Sequence, residues 1–156
     1  MVDVQTVSIA IASASVVAGV MYYVLQLRHQ VKTRKTDVVI RLNTVWVGKD
    51  FMEAWSRVMD REIKEYDTYS ASNVSNWVPE IQIGTFFEEL GFLVYSGFAD
   101  FEFISTLFPV ELAWEKLRFL IARIRKSRND QTYYEWFEYL YNEVKKREQK
   151  LQQSKT

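Results

Sequence analysis

From Val4 to Leu27 the chain carries no charged side chain, and Arg28, His29, Lys32, Arg34 and Lys35 follow at once. At 1.5 Å per residue this run makes a helix of roughly 36 Å, enough to cross a hydrocarbon core of ~30 Å with some tilt. A helix also closes its own backbone hydrogen bonds, which lipid demands. Asp3 is the only charged side chain ahead of the run. The positive-inside rule therefore predicts a single-pass protein of the cell membrane, its N-terminus outside and everything after Arg28 in the cytoplasm. A cleavable secretory signal would carry its basic residues before the apolar core and its small residues after it. Here Ala12-Ser13-Ala14 lies mid-run and the basic residues come last. A buried soluble helix is the other alternative, since Gln5, Ser8, Ser13, Ser15 and Gln26 dilute the run. Length and one-sided charge favour the span. The expectation is an N-terminal region 1–28 holding a membrane helix over about 4–27, then a basic juxtamembrane segment 29–36. The basic cluster is Arg28, Lys32, Arg34 and Lys35, with membrane lipid as a partner.

Ser8, Ala12, Ser15 and Gly19 fall at helical spacing and make a stripe of small side chains. Such stripes let membrane helices approach closely, so these four are a candidate helix–helix interface. Val17, Val24, Val31, Val38 and Val45 repeat every heptad, but Arg28 and Lys35 occupy the companion positions and break a coiled-coil seam. Instead Val38, Val39, Leu42, Val45 and Trp46 are expected to lie on the domain that follows.

That domain, 37–148, is long enough to build its own core, with a flexible tail over 149–156. The chain has no cysteine, which excludes disulfides, thiolate metal sites and cysteine nucleophiles. Lys+Arg and Asp+Glu balance at 20 each, which argues against a polyanion as main partner. The balance is patterned, however. Every charged side chain from Glu65 through Glu115 is acidic, and every one from Lys116 through Arg128 is basic. Apolar periodicity is helical nearly throughout. Asp50 with Glu53 reads as a capping box for a helix burying Phe51, Trp55, Val58, Met59, Ile63 and Tyr66. Residues 67–78 read as a polar loop. A helix over 79–96, apolar nearly all round, should be central and stop at Gly97. Asp100 should cap a short helix to Phe108, Pro109 open another to about Ser127, and Asn129 or Asp130 cap the last. The fold class is all-α: a single N-terminal transmembrane helix followed by a cytoplasmic bundle of about five to six helices.

The ordered series FFEELGFLVYSGF, LF-P, LAWEKL, a basic turn and WFEYLYNE resembles domain-of-unknown-function family 4760. LNTVWVGKDFMEAWSRVMD is similar to that family's first cytoplasmic helices, so the likeness runs from about Leu42 to Glu148. The family comprises short prokaryotic proteins, often with a membrane helix before a helical domain. The resemblance implies that architecture and no catalytic role. The residues that carry it are Phe86, Phe87, Glu88, Leu90, Gly91, Gly97, Trp114, Glu115, Phe137 and Glu138, read as fold-defining.

Catalytic signatures are lacking. His29 is the only histidine, so a Glu-x-x-His di-metal bundle cannot be assembled. There is no glycine-rich phosphate loop, no G-x-S-x-G and no H-E-x-x-H. No cofactor is expected. KLRFLIARIRKSR interleaves basic and apolar residues, but Leu117, Leu120, Ile121 and Ile124 form the buried face of an amphipathic helix, which argues against nucleic acid. The candidate structural ion pairs are Glu88 and Glu115 with Arg118, Arg123 and Arg125. Two functions remain: a non-catalytic, membrane-tethered scaffold binding a protein partner or a second copy, and a membrane-bound enzyme or small-ligand binder with a pocket near Glu88 and Glu115.

Overall fold

The helical periodicity of the sequence is realised along almost its whole length. The computed structural model describes residues 3–153, and the side chains at 6–7, 9–11, 28–36, 67 and 71–72 lie outside the described set. Helices α1 (Val4–Trp46), α2 (Lys49–Asp60), α3 (Val78–Tyr95), α4 (Phe101–Leu107), α5 (Val110–Arg128) and α6 (Glu135–Gln153) account for the order of elements. Two short 3₁₀ helices, Ile63–Thr68 and Ala71–Trp77, join α2 to α3. Among the described residues there is no strand. The chain divides into two units between Val38 and Val39. In the first unit every described side chain from Ala12 to Leu27 is exposed.

In the second unit α3 packs against α2, α4, α5 and α6, the central place its apolar circumference requires. Ile83, Phe87 and Leu90 are fully buried, and each contributes roughly 1.5–3 kcal/mol by leaving water. Trp46, at the end of α1, is the aromatic hub. Its ring lies between 5.1 and 6.2 Å from those of Phe51, Trp55, Phe86, Phe87 and Phe108. Leu42 packs on the same core, but Val45 is 52% exposed, contrary to the expectation that it lies inward.

Helix boundaries correct the sequence reading in several places. Asp50 and Glu53 make no capping box for α2, whose N-cap Gly48 has no side chain to offer. The box forms instead at Glu62 and Glu65, opening the first 3₁₀ helix where the sequence reading carries α2 on through Ile63 and Tyr66; Ile63 is exposed rather than buried. Pro109 is the N-cap of α5 rather than its first residue. Asn129 does not start the last helix; it closes α5 at φ 52°. Asp130 turns the chain by accepting from the Thr132 N–H at 2.9 Å and hydroxyl at 2.7 Å. Residues 149–153, placed in the tail, continue α6. Gly97, at φ 72°, ends α3 as expected, with the Phe98 N–H donating to Leu93 O and the Gly97 N–H to Val94 O.

Candidate functional site

The side chains singled out in the sequence converge on the start of α6. The residue before that helix, Tyr134, sits at φ 60° and brings no capping oxygen. Glu88, from α3, supplies it: the Phe137 N–H donates to its Oε2 at 2.8 Å, and the Trp136 N–H also contributes. The close approach this needs is provided by Gly91, where a Cβ would stand 2.0 Å from Trp136 O. Burial raises the Glu88 carboxyl above its ordinary value, while the two N–H groups and the charge of Arg125 oppose the rise. Around this junction Phe87 stacks on Phe137 at 5.0 Å, and Trp114 meets Phe137 edge-on at 5.0 Å. Gly84 seats the Tyr134 ring, whose hydroxyl bonds to Thr85 and is pushed up to about 12 by burial.

The expected fork between Glu88 and an arginine is therefore replaced by a helix cap. Arg125 is spent elsewhere: its Nε donates to Tyr133 O at 2.8 Å and its Nη2 pairs with Glu138 at 2.8 Å. Glu115 meets Arg118 at 2.9 Å within α5 and accepts the Tyr141 hydroxyl at 2.7 Å. Arg123 is exposed on the same helix and is itself engaged. The charge blocks resolve in the same way. Glu111 at the start of α5 pairs with Lys145, and Glu102 of α4 with Arg147, both late in α6. Surface clefts border these charged side chains, one of about 440 Å³ beside Glu102 and Arg147 and two more along α5. One of about 470 Å³ is lined by Phe108, Leu112, Glu115 and Val144, the other of about 300 Å³ by Trp114, Arg118, Arg125 and Lys126. Among the described residues no cluster of three or more His, Asp or Glu could hold a metal ion.

The profile of a domain of unknown function, DUF4760, matches residues 9–144. The chain belongs to the DUF4760 family. No curated protein and no solved structure matches it. In this DUF4760 chain the residues that carry the resemblance act as a scaffold: Glu88 and Gly91 of α3, Trp114 of α5, and Phe137 of α6 lock one junction.

The sequence reading missed Glu80, a charged residue buried to 1% exposure. Acidic residues in a first helical turn usually face water and complement the dipole, which hides such a case. The available signal was spacing: Glu80 lies three and seven residues before Ile83 and Phe87, on the buried face of α3. Arg61 Nε lies 3.1 Å from its Oε1, and burial raises its carboxyl above the ordinary value.

Of the N-terminal candidates, Ser8, Ala12, Ser15 and Gly19 are all exposed, and nothing lies within 4 Å of a Cβ built on Gly19. Ser8 Oγ donates to Val4 O at 3.0 Å. The side chains of Arg28, Lys32, Arg34 and Lys35 lie outside the described residues. Among the described residues no helix is long and apolar enough to cross a membrane. The transmembrane helix expected over about 4–27 is thus not found among them; that run is the first part of α1, Val4–Trp46, which continues through the basic segment 29–36.

Proposed function

We propose that this DUF4760 chain is a non-catalytic interaction module tethered to the membrane by a single pass through Val4–Leu27, with its helical domain in the cytoplasm. The observation that carries the reading is the uncharged first part of α1, whose apolar side chains are bare. Val16 is 67% exposed, Val20 58%, Met21 64% and Leu25 61%. Water does not favour so long an uncovered apolar surface, and lipid covers it without further partners. The basic residues that follow the run in sequence suit the inner leaflet. The small stripe Ser8, Ala12, Ser15 and Gly19 suits a second copy of the same helix. Cations of α5 and α6 matched by neighbouring carboxylates argue against nucleic acid.

Fractionation of the full-length chain tests the anchor: it should stay in the membrane pellet through a carbonate wash, and recovery in the soluble fraction would overturn it. Because the chain has no cysteine, Asp3→Cys and Gln152→Cys report sidedness with an impermeant thiol reagent. The first should label on intact cells and the second only after permeabilisation. The second reading, a small-ligand binder or enzyme near Glu88 and Glu115, draws on the cleft of about 470 Å³ that Glu115 borders. It is the weaker one, since Glu88 is committed to capping α6.

A further inference from the structure

Where α3 crosses the start of α6, aromatic side chains are left outside the core. Phe92 and Tyr95 of α3 are 48% and 59% exposed, and Trp136 and Tyr139 of α6 are partly exposed beside them. The four rings form an unbroken chain: Phe92 to Trp136 at 5.9 Å, Trp136 to Tyr95 at 4.4 Å, and Tyr95 to Tyr139 at 5.5 Å. Apolar residues scattered singly over a surface are ordinary, whereas a contiguous patch marks a place of contact. Tyrosine and tryptophan are also the side chains that anchor protein interfaces.

The charges around this patch are of one sign. Helix α3 holds Glu80, Glu88 and Glu89 and no Lys or Arg, and α6 holds Glu135, Glu138 and Glu143 before its first cation, Lys145. Glu80 is buried, Glu88 caps α6, Glu138 pairs with Arg125, and Glu143 pairs with Lys146. Glu89 and Glu135 are left. Both are exposed, and among the described residues neither carboxylate makes a hydrogen bond or an ion pair. Glu89 lies three residues before Phe92 and Glu135 four before Tyr139, spacings that make neighbours on a helix surface. The Glu135 charge also reaches Glu88 and raises its carboxyl, a repulsion that an arriving cation would relieve.

We propose that this patch is the docking surface of the interaction module, and that its partner is an arginine-rich segment of another protein. Guanidinium planes of that segment stack on Tyr95 and Trp136 while Glu89 and Glu135 pair with them. A guanidinium is flat, lies against aromatic faces and forks onto a carboxylate, so it meets both features of the patch at once. Anionic lipid and nucleic acid would be repelled by the same carboxylates. A second copy docking face to face would set Glu89 and Glu135 against carboxylates like themselves. Such docking rests on the chain being an interaction module and not on its tether, which the carbonate wash decides separately.

A fluorescent dodecapeptide of alternating arginine and glycine, titrated by anisotropy into the full-length chain in an uncharged detergent, tests the surface. Saturable binding that weakens as salt rises is expected, and its absence overturns the assignment. Glu89→Gln combined with Glu135→Gln should weaken binding about fivefold. Asp50→Asn combined with Glu53→Gln removes the same charge from α2 and should change affinity less than about twofold; an equal loss in both pairs would mean unspecific attraction and overturn the site. Tyr95→Leu keeps apolar area but has no π face, so it should weaken binding about threefold, and unchanged affinity counts against the stacking. Patch-dependent capture of anionic vesicles, or of a second copy, in place of the peptide would give the surface to that occupant and overturn this one. Should a variant fail to fold, footprinting of the unaltered chain decides. Bound peptide should shield Tyr95 and Trp136 from hydroxyl radicals, and unchanged labelling refutes the site.

Discussion

Of the glycines, Gly91 has the least room for a side chain. A Cβ there would stand 2.0 Å from Trp136 O and 2.4 Å from its carbonyl carbon, and backbone on the far side cannot swing away as a flexible side chain can. Gly91→Ala should cost about 3 kcal/mol or more in urea denaturation, and a loss below ~1 kcal/mol would mean the α3–α6 crossing is looser than described. Glu88 next to it acts as an acceptor. Glu88→Ala should cost about 1–2 kcal/mol, whereas Glu88→Gln, which keeps an oxygen, should lose about half as much. Glu80 adds a pH dependence. Its carboxyl is raised on folding by burial, against its own backbone N–H and the charge of Arg61. A raised carboxyl binds its proton more tightly in the folded chain. Its contribution is therefore full below the unfolded value of ~4.3 and is lost as pH rises through the folded value. Tm should thus fall more steeply with rising pH in the unaltered chain than in Glu80→Gln. Parallel profiles would remove Glu80 as the cause.

At the scale of elements, α5 and α6 each carry acidic residues early and basic residues late, as the helix dipole favours. Packed antiparallel, they meet with opposite charges: Glu111 with Lys145 at one end, Arg125 with Glu138 at the other. The acidic and basic blocks were plain in the sequence; their pairing was not, because it depends on which helix α5 lies against. Arg125 does more than pair. Its guanidinium also ties down Tyr133 O, bracing the turn that sets the start of α6. Arg125→Met should cost about 2–3 kcal/mol and speed hydrogen exchange across residues 129–134. Arg125→Lys should recover little of that, since an ammonium cannot span the carbonyl and the carboxylate together. Helices α2 to α6 were legible from their apolar spacing, and the errors fell at the ends. Asn129 suits an N-cap or a left-handed closure equally well, and only the position of the next helix selects one.

For the whole molecule, the proposed tether and the small stripe predict association in the membrane. Gly19→Leu should reduce the cross-linked dimer in native membranes, and an unchanged yield would discard the stripe as an interface. The sequence by itself determined what needs only local spacing: the helical character of the uncharged run, the all-α class, the central place of α3 and the stop at Gly97. Tertiary structure alone decided the rest. Glu88 became a cap for a helix far along the chain, and Glu80 became a buried charge. The first depends on which backbone passes within about 3 Å of a carboxylate, the range of a hydrogen bond, and the second on which side chains close over it. A carboxylate reads the same in a sequence whether it faces water, an arginine or a peptide N–H, and packing chooses among them.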